Sequence, residues 1–284
     1  MSVVSFVVHA GRPQAVEVAS GLARMLQDRG VTTRRIATEP MEGADPATSA
    51  EALVSGADLV VAVGGDGTFL RAAEIASRAG CPVAGVKVGR LGFLTEIEPG
   101  EAAGVIDDVL DGRALIEPRM AVVAESPVLA EPRWALNEVI VEKGSRHRLV
   151  KLAVRIGGVH VCTFSADGVI VATSTGSTAY SFSARGPIVS PMIDCMVVTP
   201  VAAHMVFDRS FVIAASDPVS LEVVGEESGL ISADGHESTE LPVGTSVEVR
   251  AAASPVHMVR RNDGTGFFSI VREKFGLPGG SAEA

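Results

Sequence analysis

The residues best suited to chemistry are Gly64-Gly65-Asp66-Gly67-Thr68. The preceding run, Asp58-Leu59-Val60-Val61-Ala62-Val63, is short, apolar and β-branched, and predicts a buried strand of a parallel sheet. The run after it, from Phe69 to Ala76, is rich in helix formers and stops near Gly80. The five residues therefore sit where a strand hands over to a helix, which is the ligand-binding end of an open α/β sheet. Glycines there allow positive φ and close approach of a phosphate. The amides of such a junction form an anion-binding concavity. Gly64, Gly65, Gly67 and Thr68 are thus candidate phosphate contacts, and Thr68 offers a hydroxyl to cap the helix. Asp66 adds nothing to a phosphate cradle; it suggests a base for a hydroxyl, or a metal ligand. The plainer alternative is a tight turn with an aspartate cap. The flanking strand and helix favour a site.

Four polar features lie further along. Asn137-Glu138 stands inside Trp134-Ala135-Leu136-Asn137-Glu138-Val139-Ile140-Val141, read as one apolar strand. A polar pair there is costly unless both side chains find partners. An amide offers a donor and an acceptor to a base edge, while a bulge or strand end bonded to backbone explains the pair equally well. Asp167-Gly168 opens a second apolar strand that runs into a hydroxyl-rich loop, Thr173 to Thr178, followed by the single tyrosine, Tyr180. Small side chains and exposed amides suit a flat base or ribose, and Tyr180 can stack on it. Arg146-His147-Arg148, with Lys151 and Arg155, is a basic cluster able to face phosphates, or a solvated hairpin; Arg148 is the member to single out. Ser232-Ala233-Asp234-Gly235-His236 reads as a turn that makes His236 a possible ribose or base contact.

The elements that must carry these residues follow from patterning. Residues 3–8 predict a first strand, 13–29 a helix ended by Gly30, 31–37 a second strand, 39–47 a loop, and 49–54 a short helix. Residues 82–88 predict another buried strand. It ends in Gly89-Arg90-Leu91-Gly92-Phe93-Leu94, a second glycine-bearing strand end on the same edge of the sheet. A helix over 101–110 closes this half, whose alternation indicates a parallel α/β sheet. From about Met120 to Val249, short strands with turn signals predict an all-β domain. Residues 256–270 read as strand, 272–275 as the end of ordered chain and 278–284 as a loose tail.

The totals narrow the function. A length of 284 residues suits one large domain or two ordinary ones. The net charge of −10 argues against a general nucleic-acid or anionic-membrane binder. Three scattered cysteines in no metal spacing indicate a reducing, cytoplasmic compartment. No apolar run approaches membrane-spanning length. The Gly-x4-Gly-Lys-Ser/Thr loop and the Gly-x-Gly-x-x-Gly fingerprint are both missing, so a nucleotide site here has another design.

Taken in order, Gly64-Gly65-Asp66-Gly67-Thr68, Asn137-Glu138, Asp167-Gly168, Thr175-Gly176-Ser177-Thr178-Ala179-Tyr180-Ser181 and Gly186-Pro187-Ile188-Val189-Ser190-Pro191 resemble the NAD kinase family, most closely its bacterial members. The first motif is shared with lipid kinases and phosphofructokinases; the sequence of motifs is specific. The resemblance implies an α/β domain over 1–118, an all-β, sandwich-like NAD-binding domain over 119–255, and a C-terminal segment, 256–284, that returns to the first domain. It implies phosphate transfer from ATP, or polyphosphate, to the 2′-hydroxyl of the adenosine ribose of NAD. Asp66 matches the catalytic aspartate, and Gly67, Arg71, Asn137, Glu138, Arg148, Asp167, Thr178, Ala179, Tyr180, Ser181, Ser183 and His236 fall at NAD-contacting positions. A divalent cation, Mg²⁺, held through phosphates rather than an all-protein cage, is the implied cofactor, and a homodimer or homotetramer the implied assembly. Lys87, Ser174, Arg185 and His236 depart from the residues frequent at those positions.

Overall fold

Alternating β-branched runs and amphipathic stretches in the first 119 residues fold as their periodicities require. The computed structural model describes residues 2–261 and 266–278. The chain begins β1 (Val3–Val8), α1 (Pro13–Asp28), β2 (Thr32–Ile36), β3 (Asp45–Ala47), α2 (Ala50–Val54), β4 (Leu59–Gly64), α3 (Asp66–Ser77), β5 (Val83–Lys87), α4 (Ala102–Leu110) and β6 (Leu115–Arg119). Next come β7 (Val122–Glu125), β8 (Arg133–Ala135), β9 (Glu138–Lys143), β10 (Val150–Ile156), β11 (Val159–Ala166) and β12 (Gly168–Thr173), a 3₁₀ turn over Thr175–Thr178, and α5 (Tyr180–Ser183). Then follow β13 (Cys195–Val201), β14 (Phe211–Ala214), β15 (Val219–Val224), β16 (Gly229–Ala233), β17 (Thr239–Leu241) and β18 (Ser246–Ala251). The chain closes with β19 (Val256–Arg260) and α6 (Phe267–Phe275).

Two compact units result. One comprises the described residues of Met1–Pro118 and Val256–Ala284, the other Arg119–Pro255. The first holds a sheet of strand order β3-β2-β1-β4-β5-β19-β6, parallel from β3 through β19. β4 is buried along its whole length because helices cover parallel sheets on both faces, so it shows no alternation. Phe6, Leu26, Leu59, Val61, Val63, Val86 and Ile106 make its core with the small side chains of α1. The return of the chain end to this sheet is realised by β19, which pairs with β5.

The second unit is two six-stranded sheets, β11-β10-β15-β18-β7-β8 and β14-β13-β12-β9-β16-β17. Alternate residues of β9, β10, β12, β15 and β18 meet between them, so β15 reads buried and half-buried in strict turn. β12 is buried throughout, since Ile170 and Ala172 on its other side pack with Val189 and Val197.

Three segments differ from the patterning. Residues 39–47, read as loop, contain β3, which pairs with Arg34–Ile36; Pro46 is tolerated because β3 is the sheet edge. The stretch 134–141 is not one strand: β8 ends at Ala135 in one sheet and β9 begins at Glu138 in the other. Residues 256–270 are not all strand, because the chain re-forms as a helix at Phe267, with Gly276 as its left-handed C-cap. Asn262 and residues 279–284 of the expected tail lie outside the described residues.

Candidate active site

In the first unit, the connections of β1 and β4 lead to opposite sides, to β2 and to β5. The crevice outside their carboxyl ends is therefore the switch point of the sheet. A cleft of about 590 Å³ opens there, lined by residues 8–12, 65–68 and Arg71. α3 starts at Asp66, so the amides at its start, ahead of the Thr68 amide that donates to the Gly65 carbonyl at 2.9 Å, lie along the cleft.

The reasons for the glycines differ from the expectation. Gly64, Gly65 and Gly67 do not have positive φ. Gly64 is needed for space: a Cβ there would stand 2.5 Å from the Thr68 hydroxyl oxygen and 3.1 Å from the Cβ of His9. Thr68 does not cap the helix either. Gly65 occupies the cap position without a side-chain bond, and Thr68 lies inside the first turn with its hydroxyl packed on Gly64.

Asp66 is held by the strand end that follows β5. Its Oδ2 accepts the Phe93 amide at 2.9 Å; its Oδ1 accepts the amides of Leu94 and Thr95, both at 3.2 Å, and the Thr95 hydroxyl at 3.1 Å. This explains Gly92, where a Cβ would fall 1.9 Å from Asp66 Oδ1. α6 contributes the Lys274 ammonium, 3.9 Å from Oδ2 and 4.4 Å from the centre of the Phe93 ring. The carboxylate remains about one-third exposed.

Cations border the cleft. Arg71 donates to the Val8 carbonyl at 3.1 Å and pairs with buried Glu39, whose other oxygen accepts the Val8 amide at 3.0 Å. Burial raises the Glu39 carboxyl above its usual range, against the pull of Arg71. Arg12 and His9 were missed in the sequence, although His9 directly follows the apolar β1 and Arg12 stands just before α1. Arg12 donates to the Val88 carbonyl at 2.5 Å and faces no carboxylate among the described residues. It also lines an adjoining cleft of about 680 Å³ with Gly89 and Arg90. His9 Nδ1 is buried without a hydrogen-bond partner among the described residues.

In the second unit, Asn137 and Glu138 occupy the crossing from β8 to β9. The amides of Leu136, Asn137 and Glu138 all donate to the Asp234 carboxylate, at 2.7, 2.9 and 3.0 Å. The polar pair is thus a break between sheets rather than an interruption within a strand. The hydroxyl loop supports it from the other side. Thr173 donates to the Leu136 carbonyl at 2.6 Å and accepts the Gly176 amide at 3.0 Å. A Cβ on Gly176 would fall 2.0 Å from the Asn137 carbonyl oxygen, so only glycine fits.

Glu138 is buried, accepts the Tyr180 amide, and leaves Oε2 without a hydrogen-bond partner among the described residues. Burial first, and then the charge of Asp234, push its carboxyl up to about 8. Burial raises Asp234 as well, against its three backbone donors. Tyr180 is exposed, and burial of part of its ring with the charges of Glu142, Asp167 and Glu138 raises its phenol. Asp167 pairs with Lys143 at 2.5 Å.

The raised Glu138 has a consequence for stability. Its folded-state pKa of about 8 lies above the ordinary 4.5, so its contribution is complete below 4.5 and is lost as pH rises through 8. The slope is about 1.4 kcal/mol per pH unit within that window. Urea unfolding at pH 5.0 and 7.5 should show stability falling with pH in the unmodified chain and a flatter dependence in Glu138→Gln. Parallel slopes would remove Glu138 as the source.

The other expected contacts divide. Thr178, Ala179 and Tyr180 follow the loop beside Asn137, and Ser183 is exposed on α5. His236 is exposed on the turn after Asp234, its amide donating to the Ala233 carbonyl at 2.9 Å. Ser181, expected as a contact, is fully buried and bonded to the Thr199 hydroxyl at 3.0 Å; it supports α5 from beneath. Arg148 pairs with Glu227 at 2.5 Å just before β10 and lines a separate cleft with Lys151, Ser165 and Glu226.

Comparison with known proteins gives these sites a context. The model of the ATP-NAD kinase N-terminal domain matches residues 4–114, and that of the ATP-NAD kinase C-terminal domain matches 136–261. An NAD kinase of Heliobacterium modesticaldum is 38% identical over 282 residues, covering 96% of this chain and 98% of that protein. An NAD kinase of Thermobifida fusca is 36% identical, with coverage of 97% and 89%. The fold is shared with the crystal structure of yeast NADH kinase complexed with NADH: TM-score 0.88 at 24% identity, over 100% of this chain and 90% of that one. It is shared too with an NAD kinase from Archaeoglobus fulgidus in complex with ATP, TM-score 0.72 at 24% identity, over 97% of each chain. On the match to both domain models over most of its length, and to these relatives over 96–97% of it, the chain belongs to the ATP-NAD kinase family.

Proposed function

We infer that this protein transfers the terminal phosphoryl group of ATP to the 2′-hydroxyl of the adenosine ribose of NAD, producing NADP. The observation that carries the reading is Asp66: a partly exposed carboxylate, fixed by four donors, at a switch-point cleft lined by helix amides and two arginines. Asn137, Glu138 and the Tyr180 loop hold the adenosine. Arg12, Arg71 and the first-turn amides of α3 offset phosphate charge.

Oδ1 of Asp66 already accepts three hydrogen bonds, whereas Oδ2 accepts one and keeps a lone pair. Oδ2 is therefore the atom that receives the ribose proton. The 2′-oxygen forms its bond to the terminal phosphorus as the bond from that phosphorus to the ADP oxygen breaks, in line. Because the aspartate is so fully bonded, aligning the hydroxyl is a larger part of its role than basicity.

Among the described residues no cluster of three or more His, Cys, Asp or Glu could hold a metal. Asp66 is the only carboxylate lining the cleft among the described residues, which suits Mg²⁺ arriving on nucleotide phosphates with one protein oxygen. When bound, that ion neutralises charge on the transferred group.

We place the protein in the cytoplasm, as a homodimer or homotetramer. Free cysteines at 81, 162 and 195 suit a reducing compartment, and no helix among the described residues is long and apolar enough to cross a membrane. Exposed Met192, Ile193, Phe207 and Val212 suit contact between copies.

The test is formation of NADP from NAD with ATP and Mg²⁺, repeated with polyphosphate and with NADH. Turnover with ATP and NAD is the expected result. Dinucleotide binding without turnover would point to a sensor, and phosphorylation of a lipid or sugar instead would assign the first motif to another kinase class.

A further inference from the structure

We propose that Asp234 is a positioning residue for dinucleotide recognition: its carboxylate pins the backbone of residues 136–138 and so aims the Asn137 and Glu138 side chains at adenosine. The inference rests on the NAD kinase reading above and adds a residue to it.

A chain that leaves one sheet and enters another exposes amides that no strand can satisfy. Here three successive amides, at 136, 137 and 138, converge on the two oxygens of one carboxylate at 2.7, 2.9 and 3.0 Å. The Asp234 amide returns a bond to the Glu138 carbonyl at 3.0 Å, so the two segments are clamped in both directions. To reach this place Asp234 adopts φ +47, a left-handed conformation that aspartate tolerates better than most residues. Gly235 follows at φ +73.

The clamp does more than close a turn. Asp234 sets its negative charge against the Glu138 carboxyl, whose Oε2 is buried and without a hydrogen-bond partner among the described residues. A carboxyl in that setting retains its proton more readily, and a protonated oxygen donates where a carboxylate only accepts. The other groups that bear on this pair are His236 beside Asp234, the Tyr180 amide on Glu138, and Glu142 and Asp167 beside the Tyr180 phenol. Asp234 therefore fixes where the recognition pair points, and its charge adds to the burial that keeps a proton on Glu138.

Asp234→Asn keeps one acceptor oxygen and removes the charge. The KM for NAD should rise roughly 10–100-fold. The KM for ATP and kcat should stay within about 3-fold, and the Glu138 inflection in the pH profile of the NAD KM should move to lower pH. Equal rises in both KM values, or an unmoved inflection, would reduce Asp234 to a folding residue and overturn the proposal. If that variant does not fold, hydrogen exchange on the unmodified chain decides. The amides of 136–138 should be protected in the absence of NAD; exchange at unfolded rates overturns the clamp. Should the unmodified chain make no NADP, the kinase reading fails by itself. The effect of Asp234→Asn on NAD affinity, read by calorimetry, then judges the clamp separately: weaker binding supports it and unchanged binding overturns it.

Discussion

Asp66→Asn lowers kcat by roughly 10²–10⁴-fold while NAD affinity changes little. The structure gives this expectation two sources. The ribose proton loses its acceptor, because an amide cannot take it up. The alignment of the side chain also suffers, since the four groups hydrogen-bonded to Asp66 all donate, the amides of Phe93, Leu94 and Thr95 and the Thr95 hydroxyl, and the Lys274 ammonium stands 3.9 Å from Oδ2. An asparagine must turn an NH₂ toward one side of that set, so one donor loses its acceptor at about 1–3 kcal/mol. A modest fall in stability should therefore accompany the loss of turnover, and the two are separated by measuring kcat and NAD binding on protein shown to be folded. Near-normal turnover would withdraw Asp66 from the chemistry.

Glu96→Ala is expected to destabilise the protein by about 3–5 kcal/mol. Glu96 and Arg260 are each about 5% exposed at the side chain and meet at 2.8 Å; the same Glu96 oxygen accepts the Arg261 amide at 3.1 Å. Removing the carboxylate strands a buried guanidinium whose next acid, Glu117, stands 3.8 Å away. Glu96 immediately follows the strand end that holds Asp66, and Arg260 ends β19, so the pair ties the returning chain to the support of the candidate catalytic residue. Replacing both by apolar residues, Glu96→Leu with Arg260→Met, should recover most of the stability, because the desolvation cost disappears with the charges. Chemical denaturation of the single and double variants checks this. A loss below about 1 kcal/mol in the single variant would show that the pair is screened by solvent.

Much of the first unit was legible. β4 and the helix after it were visible as an apolar β-branched run followed by helix formers, because burial on both faces leaves an unbroken hydrophobic signature. The strand end at 89–94 was visible as a glycine cluster, yet nothing in its composition says that its amides point at Asp66. That is a contact between residues 27 to 29 positions apart. β3 was invisible because three parallel edge residues leave no periodicity, and Pro46 reads as loop. The strand over 134–141 was misjudged for a definite reason. Alternation cannot show that a chain changes sheets, and the acid that satisfies the crossing lies 96 to 98 residues downstream. A hydroxyl beside a loop looks the same in sequence whether it faces a ligand or, as Ser181 does, a buried threonine.

Local sequence thus determined which residue types exist at each strand end: the glycines, the lone aspartate and the asparagine–glutamate pair are chemical facts of the chain. Tertiary structure decided what those groups are bonded to. Four donors converge on Asp66 and one carboxylate gathers three amides around Glu138. Hydrogen bonds and desolvation depend on distances set by packing between elements remote in sequence, and no local pattern encodes those distances.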